Sequence, residues 1–443
     1  MTRIALVVLD TLRKDLFDEY FDWLPGIRYE NAWSTAHWTV PAHASMFTGQ
    51  YASEAGVHAR SHHLDTSKPT IVELLSEAGF DTLGFSSNMH VTPEFQFDRG
   101  FQEFIQHGRA RSETAFPWKQ YIEEGALPWP VAAPIALFKT LAGPYDTTLS
   151  LDNLRHGLEC RYPSLLGANN TSTPNVRRCL EDRSLEKDTF VFMNLMEAHA
   201  PYLHPKEYQE RRFSRADVTQ EWHQMFADDD TDYEAERAAY RGAVRYLSDE
   251  YRRLYKQLKH FDYIITLSDH GEAFGRNGTV EHVYGVSPAL THVPVVISGS
   301  AVNDTDRVVN EPVSIRDVYE TVADMAGINA DSDGTPLLAE SLGDPVRTEY
   351  HGITHQERIE MLHEMGFNAE QIQRYDTPKY GVASGSSYVY ETMDGLSFTG
   401  GGDEARLESL LETEKERIPD LVFDDDSEVD DEVQDRLGQL GYV

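Results

Sequence analysis

A series of short apolar runs, several of them ending in polar residues, constrains this chain more than any other feature. Residues 4–9, 190–195, 263–267 and 293–297 are continuous runs rich in β-branched and aromatic side chains. Such runs read as buried strands, and residues 81–86 read as another. Helical patterns lie between them. Residues 69–78 put Ile71, Leu74 and Leu75 on one face and close at Gly79. Residues 233–259 form a long charged helix. Residues 314–325 form a helix opened by a capping box, Ser314 with Asp317, and followed by Gly327. Strands separated by helices predict an α/β fold: a largely parallel central sheet with helices on both faces.

The rhythm breaks twice. Residues 109–187 cluster Pro, Gly, Asn and Trp, and read as an insertion over the face that carries the chemistry. From residue 346 the pattern changes to a small α+β subdomain, with a hairpin expected to turn at Asp394-Gly395. The expected division is a main unit of residues 1–345 and a C-terminal subdomain of residues 346–443. An acidic, solvated run around 424–431 and a short helix over 434–443 end the chain.

At 443 residues, 40% hydrophobic and 11% aromatic, the chain can bury a large globular core. No stretch approaches the roughly 18 uninterrupted apolar residues of a membrane span. Met1-Thr-Arg runs straight into the first strand, with no signal peptide, so the expected compartment is the cytoplasm. Two cysteines, Cys160 and Cys179, exclude a disulfide framework and a four-thiolate zinc site. The net charge of -35, from 74 acidic and 39 basic residues, excludes nucleic acid and anionic membranes as partners. With arginine well ahead of lysine, the composition resembles that of extreme halophiles, archaeal ones included. Molar salt there screens charges within about 3 Å.

Ligands of an open α/β sheet gather at the carboxyl ends of its strands. The first run ends at Asp10. Residues 190–196 lead into Glu197-Ala-His199-Ala-Pro201-Tyr202, and residues 263–267 into Ser268-Asp269-His270-Gly271-Glu272. Asp10, Asp269 and His270 make a plausible divalent site of mixed oxygen and nitrogen ligands. Read singly, Asp10 is as readily a cap or turn residue, and Asp-His-Gly-Glu as readily a turn. The third motif is Trp38-Thr39-Val40-Pro41-Ala42-His43, where the early proline starts a helix near Thr39 or Val40. A hydroxyl there faces free backbone N–H groups and the positive end of the helix dipole, which suits a nucleophile attacking an anionic ester. Read alone, Thr39 is equally an N-cap.

Together these segments resemble the sulfatase family of the alkaline-phosphatase superfamily. Val7-Val-Leu-Asp10-Thr-Leu-Arg13-Lys-Asp15 is similar to the family's first strand and metal-binding Asp. Thr39-Val-Pro-Ala-His43 stands where the family carries Cys/Ser-x-Pro-x-Arg. Phe97-Asp-Arg-Gly-Phe101, His199-Ala-Pro-Tyr202, Ser268-Asp-His-Gly-Glu272, residues 293–297 and the closing Leu440-Gly-Tyr-Val443 follow in the family's order. The resemblance implies that Asp10, Asp269, His270 and the Thr39 oxygen hold one divalent cation (Mn, Mg, Ca or Zn). It implies that His199 and His282 bind the ester or protonate its leaving group, although His282 is equally a loop histidine. Arg13, His43, Asn88 and His90 stand where substrate contacts are expected. The implied substrate is a small anionic ester or glycan.

Three departures separate the chain from a typical sulfatase. Thr11 stands where many relatives carry a second acid, and His43 replaces the supporting Arg. Thr39 replaces the Cys or Ser that is oxidised to formylglycine, and its Cβ methyl forbids the aldehyde. Phosphate-handling relatives, among them nucleotide pyrophosphatases and lipoteichoic acid synthase, use such a Thr through a phospho-enzyme. The expectation is therefore hydrolysis of phosphate or sulfate esters through Thr39, with phosphoesters favoured. Transfer of a phospho-group to a sugar or lipid alcohol and an inactive anion- or glycan-binding member are the alternatives. Oligomeric state is not legible.

Overall fold

The structure is a computed structural model. It describes residues 1–106, 129–143, 172–211 and 233–419, apart from positions 182, 184, 304, 305, 344 and 355, and also Phe116, Tyr145, Thr147, Ser150, Leu151 and Leu421. An eight-stranded sheet forms its centre. The strands are β1 (Arg3–Leu9), β2 (Ile27–Tyr29), β4 (Asp81–Ser86), β5 (Glu103–Gln106), β6 (Thr189–Leu195), β7 (Tyr263–Leu267), β8 (Val295–Ser298) and β9 (Val308–Val309). Their order is β5-β4-β6-β1-β7-β8-β2-β9. Only β8 runs against the others, pairing antiparallel with both β7 and β2. It does so because the chain returns from β7 through a loop, Ser268 to Pro294, without the long helix that a parallel crossover needs.

β1 shows why its run is continuous rather than alternating. Ile4, Leu6 and Val8 enter one core with the helices Thr39–Thr48, Ile71–Glu77 and Val318–Ala326. Ala5, Val7 and Leu9 enter a second core with the helices Lys14–Tyr20 and Glu234–Leu258. A strand covered on both faces has no polar side, so the expected α/β sheet with helices on both faces is present.

A second sheet, β3 (Ala32–Trp33) with β10 (Val313–Ser314), is a short parallel pair. The third is antiparallel: β11 (Val346–Tyr350), β12 (Lys379–Ser384), β13 (Ser387–Thr392) and β14 (Gly395–Thr399). The hairpin falls one residue earlier than expected. Thr392 pairs with Gly395, so Met393 and Asp394 form the loop and Gly395, at φ 122°, opens β14. The helix expected from Ser314 begins as a 3-10 turn over Ile315–Asp317, with the Ser314–Asp317 capping box in place. Cys179 is partly buried in the helix Ser172–Glu181. Cys160, the acidic run at 424–431 and the helix expected at 434–443 lie outside the described residues.

Candidate active site

Asp10 follows the last residue of β1, at the carboxyl edge of the sheet, and is fully buried. It caps no helix. Its Oδ1 accepts from Thr11 Oγ1 (2.8 Å), and its Oδ2 accepts from Asn88 Nδ2 (2.9 Å) and Asn194 Nδ2 (3.1 Å). Asp269, beyond β7, accepts at Oδ1 from the backbone N–H of Thr11 (3.1 Å) and of His270 (3.0 Å). Its buried Oδ2 has no hydrogen-bond partner. His270 Nε2 lies 3.4 Å from that oxygen and 3.9 Å from Asp10 Oδ1. The three residues place ligand atoms within 4.8 Å of one another.

Gly271 helps hold this segment in register. A Cβ there would come within 2.2 Å of the Ala289 carbonyl oxygen, and its N–H donates to Leu290 O at 2.7 Å. Burial and the charge of Asp10 drive the Asp269 carboxyl well above the ordinary carboxylate range. Burial opposes the charge on Asp10 too, but the imidazoles of His199, His270 and His43 outweigh it and keep that carboxyl low. Two carboxylates competing in one dry site, with the orphaned Asp269 oxygen facing the His270 and His43 rings, fit a divalent cation.

Thr39 is the first residue of the helix Thr39–Thr48. Trp38 is its N-cap and makes no side-chain capping bond, so Thr39 is not a capping residue. Thr39 Oγ1 lies 3.2 Å from His270 Nε2 and 3.5 Å from Asn88 Nδ2. His282 lies against His270 at a tilt of 41°, ring centroids 4.5 Å apart, and His199 meets His282 at 5.4 Å. His282 Nδ1 faces Glu272 Oε2 at 3.5 Å. Burial, with His270 and His199 alongside, pushes His282 well below the usual imidazole range; it is a neutral ring. Burial raises the Glu272 carboxyl.

The remaining expected contacts stand one step away. Arg13 gives Nε and Nη2 to Asp15 (2.9 and 2.6 Å) and Nη1 to the Glu272 carbonyl (2.6 Å), so its charge is largely met within the protein. His43 is fully buried among Phe47, Phe97 and Phe192, with Nδ1 2.9 Å from Thr39 O and 3.6 Å from Asp269 Oδ2. Burial takes it down to about 4, so a neutral ring props the first turn of the helix. The His90 ring stands edge-on to Trp38 at 5.8 Å, and its backbone N–H donates to Asn88 Oδ1 (2.8 Å). Asn194 and His37 escaped the sequence reading, and Glu272 stood there only as the end of the Asp-His-Gly-Glu motif. Asn194 carried a signal, being a lone amide inside an apolar run. His37, two residues before Thr39, is buried with neither ring nitrogen hydrogen-bonded.

The family model described as Sulfatase matches residues 19–328, well over half of the chain. The chain belongs to the sulfatase family. Its members are ester hydrolases, and so is this protein. The matched segment takes in Thr39, His199, Asp269, His270 and His282, while Asp10 and Arg13 precede it. The fold is similar to phosphonate monoester hydrolases of Silicibacter pomeroyi (17% identity, 95% of this chain and 96% of that one, TM-score 0.63) and Agrobacterium radiobacter (16%, 94% of each, 0.61). It is also similar to a 2-O GAG sulfatase (12%, 94% and 90%, 0.60). No curated protein matches the chain by sequence.

Proposed function

We propose that this sulfatase-family hydrolase cleaves phosphate or sulfate esters through a covalent intermediate on Thr39, with phosphate esters favoured. The position of Thr39 carries the reading: first residue of a helix, with its oxygen 3.2 Å from His270 Nε2 beside Asp10 and Asp269. Asp10, Asp269, His270 and the Thr39 hydroxyl would hold one divalent cation, and oxygen-rich ligation with one imidazole suits Mn, Mg or Ca, with Zn also accepted. When bound, such a cation favours the ionised hydroxyl and draws a non-bridging ester oxygen.

The chain's own groups supply the rest. Asn88 holds both Asp10 and Thr39 in place. The Thr39 hydroxyl gives up its proton to solvent. Its oxygen bonds to phosphorus as the bond to the leaving group breaks, His199 protonates the departing oxygen, and His282 offers an N–H to a non-bridging ester oxygen. First-turn N–H groups, unoccupied by any capping side chain, face the charge that develops on the ester. Water then attacks phosphorus, its proton passes to the His199 imidazole, and the Thr39 oxygen leaves and regains from solvent the proton it gave up. Threonine favours phosphorus because it cannot form the aldehyde hydrate through which formylglycine expels sulfate. The solved relatives span both chemistries, phosphonate monoesters and a 2-O-sulfated glycosaminoglycan.

The test is turnover of matched chromogenic esters (a sulfate, a phosphate monoester and a phosphate diester) by metal-loaded protein in high salt, with Thr39→Ala alongside. Phosphate-ester turnover that disappears in the variant while metal binding survives supports the proposal. Undiminished turnover in Thr39→Ala, or turnover of the sulfate ester alone, rejects it.

A further inference from the structure

The proposed reaction gives no work to the carboxyl of Glu272, although it is fully buried beside the site. Its Oε1 accepts from the backbone N–H of Ala273 (3.2 Å), and its Oε2 accepts from the Tyr202 hydroxyl (3.1 Å). Arg13 donates to the backbone carbonyl of this residue (2.6 Å), not to its carboxyl. Among the described residues, the one basic side chain that pairs with the carboxyl is His282, whose Nδ1 lies 3.5 Å from Oε2. A buried carboxyl is costly to keep unless a partner uses it. A loop that needed only volume at this place is better served by an apolar side chain.

We propose that Glu272 is the positioning residue of His282: it holds Nδ1, so that Nε2, across the ring, faces the ester. The role rests on the reading of His282 as a ligand of the ester oxygens. Two limbs of one loop bring the pair together. Ala273 N–H donates to Glu281 O (2.9 Å), and Glu272 and His282 each adjoin one end of that bond. The His282 ring also lies against His270, centroids 4.5 Å apart. It is therefore held at an edge and braced on a face. A separation of 3.5 Å is long for a hydrogen bond, as catalytic contacts often are before substrate binds. A carboxyl can give or take the hydrogen at Nδ1, so the hold does not depend on whether Glu272 is ionised.

The backbone on both sides of the pair is strained in a way that fits this role. Tyr202, which holds Oε2, has φ 54°, and Glu281, which precedes His282, has φ 52°. Residues other than glycine are rare in that region, and where they persist they cluster at sites that need a fixed geometry. Tyr202 is packed against Tyr240 (5.4 Å) and Phe274 (6.0 Å), which fixes its hydroxyl beside Oε2. If Glu272 served the loop alone, its effect on the site would be the same with or without the imidazole. If it positions His282, its effect runs through that ring.

A double-mutant cycle separates the two. The readout is affinity for inorganic phosphate, by isothermal titration of the full Mn-loaded chain in high salt. It needs no turnover, so failure of the Thr39 chemistry would show in ester hydrolysis and not in this cycle. Glu272→Ala and His282→Ala are each expected to weaken phosphate binding by about tenfold, and the double variant by about as much as either alone. Glu272→Gln, whose amide can still meet Nδ1 and Tyr202, is expected to stay within about threefold of wild type. Mn affinity is expected to be the same in all four variants. Tyr202→Phe keeps the ring packing and frees Oε2; it carries the same expectation in milder form should Glu272→Ala fail to fold. Losses that multiply in the double variant would overturn the proposal. So would a Glu272→Gln as weak as Glu272→Ala, wild-type affinity in Glu272→Ala, or a wild type that binds no phosphate.

Discussion

Thr11 is the residue under most strain at the site. It has a β-branched side chain at φ 63°, a conformation that costs such residues on the order of 1–2 kcal/mol. The turn repays this with geometry. Thr11 Oγ1 holds Asp10, and its N–H holds Asp269. Asn88 completes the arrangement by donating to Asp10 and lying within reach of Thr39. A group that orients ligands in this way typically matters by about 10–100-fold in metal affinity or activity. Asn88→Ala is therefore expected to weaken Mn binding and lower kcat by that order, and to cost about 1–3 kcal/mol of stability because the buried His90 backbone N–H loses its acceptor. Isothermal titration and steady-state kinetics measure both; unaltered metal affinity would leave Asn88 without an orienting role.

Two elements at a distance hold this geometry. The helix Glu234–Leu258 reaches the turn through Tyr240, whose hydroxyl donates to Thr11 O (2.8 Å) and accepts from Arg13 N (2.9 Å). Tyr240→Phe orphans both buried backbone groups and is expected to cost about 1–3 kcal/mol in denaturant unfolding; a loss near zero would mean that the turn holds itself. β11 supports the other side. Glu349 N–H donates to Thr35 O and Thr348 Oγ1 to Ser34 O, just ahead of Thr39. The Glu349 carboxylate takes Arg347 Nε (2.7 Å), His351 Nε2 (2.8 Å), Ser53 N and Ser53 Oγ. Burial opposes its charge, but these partners win and bring its pKa from 4.5 to about 2. A depressed carboxylate stabilises the fold fully above pH 4.5, and the contribution fades as pH falls to about 2. The stability advantage of wild type over Glu349→Gln is thus expected to shrink across that window, by up to about 3 kcal/mol. A difference that stays constant with pH would show that the charge is not what matters.

The same elements show how far the sequence could be read. Asp10, Thr39, Asp269 and His270 were legible because each follows or opens a regular element with a strong pattern. The long helix was legible from its periodicity, but not the role of Tyr240, since a contact across 229 residues leaves no local trace. β2, β3, β9 and β10 are two or three residues long, too short for any periodicity. The substrate roles expected for Arg13 and His43 came from their positions in motifs. Their partners, Asp15 and the core rings, become visible only once the chain is folded.

Charge acts on the whole molecule. A chain of -35 repels itself in dilute buffer, since about 10 Å of screening at 0.1 M leaves most surface neighbours in each other's field. Exposed ion pairs, at about 0–1 kcal/mol each, offset little of this. Molar salt shortens the screening length to about 3 Å, below the spacing of most surface charges, and removes the repulsion without touching the two buried cores. The melting temperature is therefore expected to rise steadily as KCl increases from about 0.1 M toward saturation. NaCl should act alike, because screening depends on ionic strength and not on the cation. A melting temperature that is flat with salt would mean that the acidic surface is spaced widely enough to tolerate itself, and would remove the halophilic reading. A rise with KCl but not with NaCl would point to specific cation sites on the surface instead of screening.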